Sequence, residues 1–178
     1  MEKKLQTPSQ TIGPYFAYGL TPEQYGYDFQ SITADGMASG LDTPAHCVTL
    51  TGRVLDGEGT PISDAMIELW SNDGTQNVFA RCGTGTDPQN RFFFQVPKPV
   101  SVDGQAPFFI AVVFMRGQLI HSFTRIYFSD EKALNDKDEV LNAVPSDRRD
   151  TLIAQKKDTG YVFDIRMQGE NETVFFEI

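Results

Sequence analysis

The stretch Gln105–Phe128, QAPFFIAVVFMRGQLIHSFTRIYF, decides the fold class of this chain. It is the most apolar segment of the sequence. Its β-branched and aromatic residues predict two long strands. Arg116-Gly117-Gln118 breaks the run and predicts a tight turn between them. A pair of strands this apolar belongs in a core. The rest of the chain is therefore read as what surrounds a β-hairpin.

The segments on either side predict further strands. HCVTLTGRVLD, from His46, alternates apolar and polar residues, the pattern of a half-buried strand, and Asp56-Gly57-Glu58-Gly59 is a turn. PISDAMIELW predicts a second strand that ends at Trp70, SNDGTQN a loop, and Phe92–Val96 a third strand. Beyond the hairpin, Glu131–Val144 is the one helical candidate, with Ser129 or Asp130 as its N-cap and Pro145 as its stop. Thr151–Lys156 and Tyr161–Met167 predict a hairpin across Asp158-Thr159-Gly160, and Thr173–Ile178 a closing strand. Roughly eight short strands with one short helix indicate an all-β sandwich or barrel. The pattern alone does not choose between them.

Residues 1–45 differ from this. TPSQTIGPYF carries Pro, Ser and Gly close together, which favours turning or extended backbone. The segment predicts a long irregular N-terminal arm, followed by a β-sandwich domain over 46–178. Tyr15, Phe16, Tyr18, Tyr25, Tyr27 and Phe29 argue against disorder in the arm. These rings need a surface to pack on, in this chain or in a neighbour.

Composition removes several classes of function. The net charge of −9 disfavours nucleic acid, whose phosphates need a clustered basic surface. No run approaches the ~18 apolar residues of a membrane helix, and the N-terminus has no apolar signal segment. The two cysteines, Cys47 and Cys82, have no CxxC spacing and predict reduced thiols in a cytoplasmic protein. The two histidines, His46 and His121, form no ligand pair, so a metal site built from this chain alone is not expected. There is no GxSxG elbow, and Gly83-Thr84-Gly85 lacks the Lys-Ser/Thr of a phosphate loop. Asp56, Asp64 and Glu68 are read as turn formers or solvated carboxylates, and Arg148-Arg149 as a cation pair at a helix end. Arg116 stays open between two roles. It is either a turn charge facing water or a planar fork aimed at a carboxylate.

Four pieces in order carry a resemblance that spans nearly the whole chain. They are TPSQTIGPYF, LTGRVLDGEGTPISDAMIELWSNDG, QAPFFIAVVFMRGQLIHSFTRIYFSDE and FDIRMQGENETVFFEI. Together they resemble the intradiol ring-cleavage dioxygenases, and within them the chain that binds no metal in two-chain members. The resemblance implies a β-sandwich of two mixed sheets. It implies a homologous beta subunit as partner, in αβ pairs within a larger oligomer, and protocatechuate and O2 as substrates. It places Fe(III) in the beta chain, on two Tyr and two His, the His pair lying in a His-x-His strand after Pro-Ala.

Here Ala106-Pro107 is followed by Phe108, Phe109 and Ile110, so Phe108 and Ile110 stand at the two histidine positions. The shortened segment between Trp70 and Phe92, where the first Tyr ligand belongs, contains no tyrosine. The resemblance gives the arm and one arginine a place on the rim of the partner's pocket. The matching residues are Thr11, Gly13 and Pro14, with Tyr15 as a weaker match, and Arg116. The same sequence is compatible with a metal-free binding module descended from the family. Catechol- or hydroxyquinol-cleaving relatives carry their ligands within one kind of chain.

Overall fold

A computed structural model describes residues 12–33, 36, 47–72 and 77–177. Thr11 and His46 lie outside the described residues. The strands are β1 (Cys47–Leu55), β2 (Met66–Asn72), β3 (Asn77–Gly83), β4 (Arg91–Pro97), β5 (Phe109–Phe114), β6 (Ser122–Phe128), β7 (Ile153–Lys157), β8 (Gly160–Val162) and β9 (Ile165–Arg166). Neighbours run β3-β2-β5-β6-β7-β8-β1-β4, with β9 beside β1. The sheet is mixed, because β6–β7, β1–β8 and β1–β9 are parallel and the other pairs antiparallel.

This path folds over on itself as a sandwich around one apolar interior. Alternate residues of each strand supply it: Leu50 and Val54 from β1, Phe92, Phe94 and Val96 from β4, Phe109, Ala111 and Val113 from β5, Ile126 and Phe128 from β6. Burial of a side chain such as Phe94 contributes about 1.5–3 kcal/mol before entropy is counted. The two end strands are joined through the arm. Gly36 N–H donates to Arg81 O of β3 (3.1 Å), and Gly36 O accepts from Gln95 N–H of β4 (3.1 Å).

The other face of β6 is covered by helices. Tyr127 points away from the sandwich interior into a second cluster with Ala106, Leu141, Val144 and Leu152. The helix expected over Glu131–Val144 is two pieces, α2 (Lys132–Asn135) and α3 (Glu139–Ala143). Asp138 causes the break. It caps α3 by accepting from Leu141 N–H (2.8 Å), and it also accepts from Ala106 N–H (2.9 Å) and Tyr127 Oη–H (3.1 Å). The expected caps Ser129 and Asp130 do other work, while Glu131 at the start of α2 makes no side-chain cap bond. Arg149 donates to the carbonyls of Val144 (2.9 Å) and Asn142 (2.7 Å), as a cation at a helix end should.

Other expectations shift in detail. β2 continues past Trp70 to Asn72, into the expected loop SNDGTQN, and β3 occupies a segment where no strand was expected. The expected closing strand is reduced to a single bridge, Phe123 with Phe176. The arm is more regular than its composition suggests. It contains a short helix, α1 (Phe16–Leu20), and a 3-10 turn at Glu23–Tyr25. The Gln24 side-chain amide pairs with the backbone of Gly83 in both directions, accepting from its N–H (2.8 Å) and donating to its O (2.7 Å). The Tyr25 ring lies flat on this segment. A Cβ at Gly83 would come within 2.5 Å of Tyr25 Oη, so only glycine admits the ring.

Candidate functional site

The residues singled out from the sequence fall at opposite ends of β5, about 20 Å apart by strand rise. Phe108 and Ile110 lie at its start. Arg116 lies just beyond its end. The described part of the arm reaches the second of these, where Phe16 packs on Phe114 with ring centroids 5.3 Å apart.

At the start, the expected ligand positions are hydrocarbon beside a set of linked polar side chains. The Arg125 guanidinium lies 4.1 Å over the Phe108 ring. The same guanidinium donates to Tyr127 Oη (3.2 Å) and Gln105 Oε1 (3.4 Å). Burial, with Asp138 nearby, pushes the Tyr127 phenol up to about 12, against the opposing pull of Arg125. The phenol stays protonated and donates to Asp138, whose side chain is fully buried. In front of Phe108 and Ile110 opens a cavity of about 540 Å³, bounded also by Trp70, Pro99 and Val100. Among the described residues no group of three or more His, Cys, Asp or Glu could hold a metal ion. These residues do not fit an iron centre.

At the other end, two turns meet. Phe16 N–H donates to Gly13 O (3.1 Å), and Tyr15 sits at φ −92°, ψ 1°. With Pro14 at the second position this is a type I turn, the position where proline is most at home. The Tyr15 ring projects outward at 77% exposure, touching Tyr18 at 5.7 Å between centroids. A Cβ at Gly13 would meet nothing within 4 Å among the described residues. The second turn is Met115–Gln118, closed by Gln118 N–H to Met115 O (3.4 Å). Gly117 at φ +88° gives it the form of a type II turn and puts Arg116 at the first corner. The Gln118 side chain braces it, accepting from Met115 N–H (2.9 Å) and donating to Ser122 Oγ (2.7 Å).

The two carboxylates read as solvated are not. Asp64 is almost buried, and its Oδ2 lies 2.9 Å from Arg116 Nε. Glu68 pairs with Arg81 at 2.7 Å, both side chains mostly covered. The covering comes from the arm, since Arg81 Nη1 also donates to Leu20 O (3.3 Å). Burial raises the Tyr25 phenol, against the opposing pull of its hydrogen bond from Gly85 N–H (3.3 Å). No local sequence signal marks Asp64, because its partner arrives from another strand pair. His121 is exposed and lies between the rings of Phe114 (5.4 Å) and Phe123 (4.7 Å). Burial pushes the Cys47 thiol up, away from the thiolate form, and the buried Cys82 Sγ accepts from Phe93 N–H (3.5 Å).

No protein-family model matches the chain. Among known proteins it is 47% identical, over 97% of its own length and 98% of the relative's, to the protocatechuate 3,4-dioxygenase alpha chain of Burkholderia cepacia. It is 36% identical, over 97% and 96%, to the protocatechuate 3,4-dioxygenase alpha chain of Pseudomonas putida. In fold it is similar to the dioxygenase domain of a dioxygenase carbohydrate-binding protein fusion from Streptomyces sp. SirexAA-E, with a TM-score of 0.57 and 16% identity over 75% of this chain and 87% of that one. Hydroxyquinol 1,2-dioxygenase from Pseudomonas putida DLL-E4 matches with a TM-score of 0.57 and 17% identity, over 92% and 67%. At these identities the structural likeness concerns the sandwich fold.

Proposed function

We propose, given that the chain belongs to the family of protocatechuate 3,4-dioxygenase alpha chains, that it walls a substrate pocket centred on another subunit. The partner in this reading is a homologous beta chain, paired with it in a larger cytoplasmic oligomer. The partner carries the Fe(III). The assembled enzyme cleaves protocatechuate between its hydroxyl-bearing carbons with O2, giving 3-carboxy-cis,cis-muconate. The observation that carries the proposal is the contrast along β5. The positions expected to hold metal are the hydrocarbon side chains Phe108 and Ile110, while Arg116 presents a guanidinium at 64% exposure just beyond Phe114, on which the arm residue Phe16 packs.

The residues of this chain have modest but definite parts. Arg116 offers a permanent positive charge to the substrate carboxylate, where its fork can make two parallel charged hydrogen bonds. Pro14 and Tyr15 fix the direction of the arm, and Gly13 leaves its backbone open to a neighbouring surface. The Thr11 hydroxyl belongs to the same rim in this reading. The arm as a unit, residues 1–45, is then an interface element, and the sandwich from 46 its support.

Co-expression with a candidate beta chain tests this directly. Co-purification, iron bound only when both chains are present, and protocatechuate turnover by the pair are expected. Arg116→Ala in the assembled pair should lower kcat/KM by about 1–3 kcal/mol of lost charged hydrogen bonding, with assembly intact. Stoichiometric ferric ion on the isolated chain would overturn the assignment of iron to the partner. A stable monomer indifferent to every such partner would favour a metal-free binding module instead.

A further inference from the structure

Arg116 has a long side chain on an exposed turn, and such a side chain ordinarily samples many rotamers. Two contacts restrict it here. The backbone is fixed by the Gly117 turn and the Gln118 brace. The side chain forms an ion pair in which Nε lies 2.9 Å from Oδ2 of Asp64, a carboxylate only 8% exposed. The remaining oxygen, Asp64 Oδ1, is buried and has no hydrogen-bond partner among the described residues. Among the described residues, Arg116 is thus the one cation paired with this carboxylate.

A guanidinium is planar and has two usable edges for a carboxylate, one along Nε and one across its two terminal amines. A partner on Nε leaves the terminal edge for a second carboxylate. We propose that Asp64 is the positioning residue that aims the terminal edge of Arg116 at the carboxylate of the substrate. This rests on the reading of Arg116 given above and adds the residue that sets its direction. By ordering the side chain beforehand, Asp64 removes part of the entropy loss that binding would otherwise carry. The effect belongs to a carboxylated catechol and not to the bare ring, so Asp64 contributes to substrate selection.

A carboxylate beside an anion-binding arginine also has an opposing effect, because its negative charge weakens the attraction for the substrate. Two substitutions in the assembled enzyme separate position from charge. Asp64→Ala removes both. Asp64→Asn keeps an acceptor oxygen at the same place and removes the charge. Asp64→Ala is expected to raise KM for protocatechuate about tenfold, a change of ~1.4 kcal/mol, with kcat within about twofold. Asp64→Asn is expected to hold KM within about threefold of the parent. The affinity for catechol, measured by competition, should not move in either variant. If the alanine variant does not assemble, Asp64→Glu carries the same contrast, since one added methylene displaces the guanidinium while preserving the charge.

Equal losses for protocatechuate and catechol would show a merely structural role and overturn the proposal. So would an unchanged protocatechuate KM in Asp64→Ala, or a lowered one, in which case charge and not position is what Asp64 contributes. Arg116→Ala, run in parallel, tells the two readings apart. If it raises KM while Asp64→Ala does not, only the role of Asp64 falls. If neither changes KM, the reading of Arg116 falls with it.

Discussion

The two ends of β5 place their polar groups in opposite ways. At the start, the linked polar groups beside Phe108 bond to one another. Arg125 lies on the Phe108 ring and donates to Tyr127 and Gln105, and Tyr127 in turn donates to Asp138. At the far end, Arg116 gives one nitrogen to Asp64 and leaves most of its surface outside. A buried polar network rigidifies a structure where its members are satisfied. An exposed cation on a rigid turn contributes little to stability but remains free to bind. The difference locates the support of the fold at one end and the chemistry offered to a neighbour at the other.

The comparison is most exposed to failure at Asp138. This fully buried carboxylate accepts from two backbone amides and a phenol. Asp138→Ala should destabilise the chain by about 3 kcal/mol, by leaving those donors buried and unpaired. A urea midpoint close to that of the parent would remove the claim that this end is the structural one. Arg125→Ala is expected to cost about 1 kcal/mol through loss of the contact with Phe108. Thermal unfolding of the single variant and of its double mutant with Phe108→Leu should show coupling between the two sites.

A third test uses pH. Asp130 follows β6, at the same end as Phe108. Burial opposes its ionisation, but hydrogen bonds from Lys156 Nζ (2.8 Å) and Tyr161 Oη (2.9 Å), with Lys98 nearby, hold it down to about 2. Its folded pKa is below the ordinary carboxylate value of about 3.9. Its stabilising contribution is therefore complete above that value and is lost as pH falls through about 2. The stability gap between the parent and Asp130→Asn should be constant at neutral pH and close between about pH 4 and 2. A gap that persists unchanged at the acid limit would mean that the charge is not its source.

The smallest effect is expected at the Arg116 end. Tyr15→Ala should change stability by less than about 0.5 kcal/mol, because the ring is mostly outside. A loss well above that in chemical denaturation would mean that the ring supports the arm and that the contrast between the two ends is drawn too sharply.

Much of the framework was legible from pattern. Alternation in HCVTLTGRVLD, FFFQV and the Gln105–Phe128 pair maps onto β1, β4, β5 and β6, and the Asp158-Thr159-Gly160 turn does join β7 to β8. β3 was not legible, because NVFARCG has no clean alternation. Its Arg81 is covered through Glu68 and the arm, which a local window does not contain. The break between α2 and α3 had a visible signal in Asp138, a capping residue three positions before Leu141, but Ser129 and Asp130 competed with it on equal terms.

The sequence by itself determined the strand pattern, the turn at Gly117 and the identity of the side chains at 108 and 110. Each depends on residue type and near neighbours. Only the tertiary structure decided which charges meet. Asp64 and Glu68 looked alike as carboxylates near a strand, yet one holds Arg116 at the surface and the other Arg81 beneath the arm. The reason is that ion pairing and burial are set by segments distant in the chain, and these come together only when the sandwich closes.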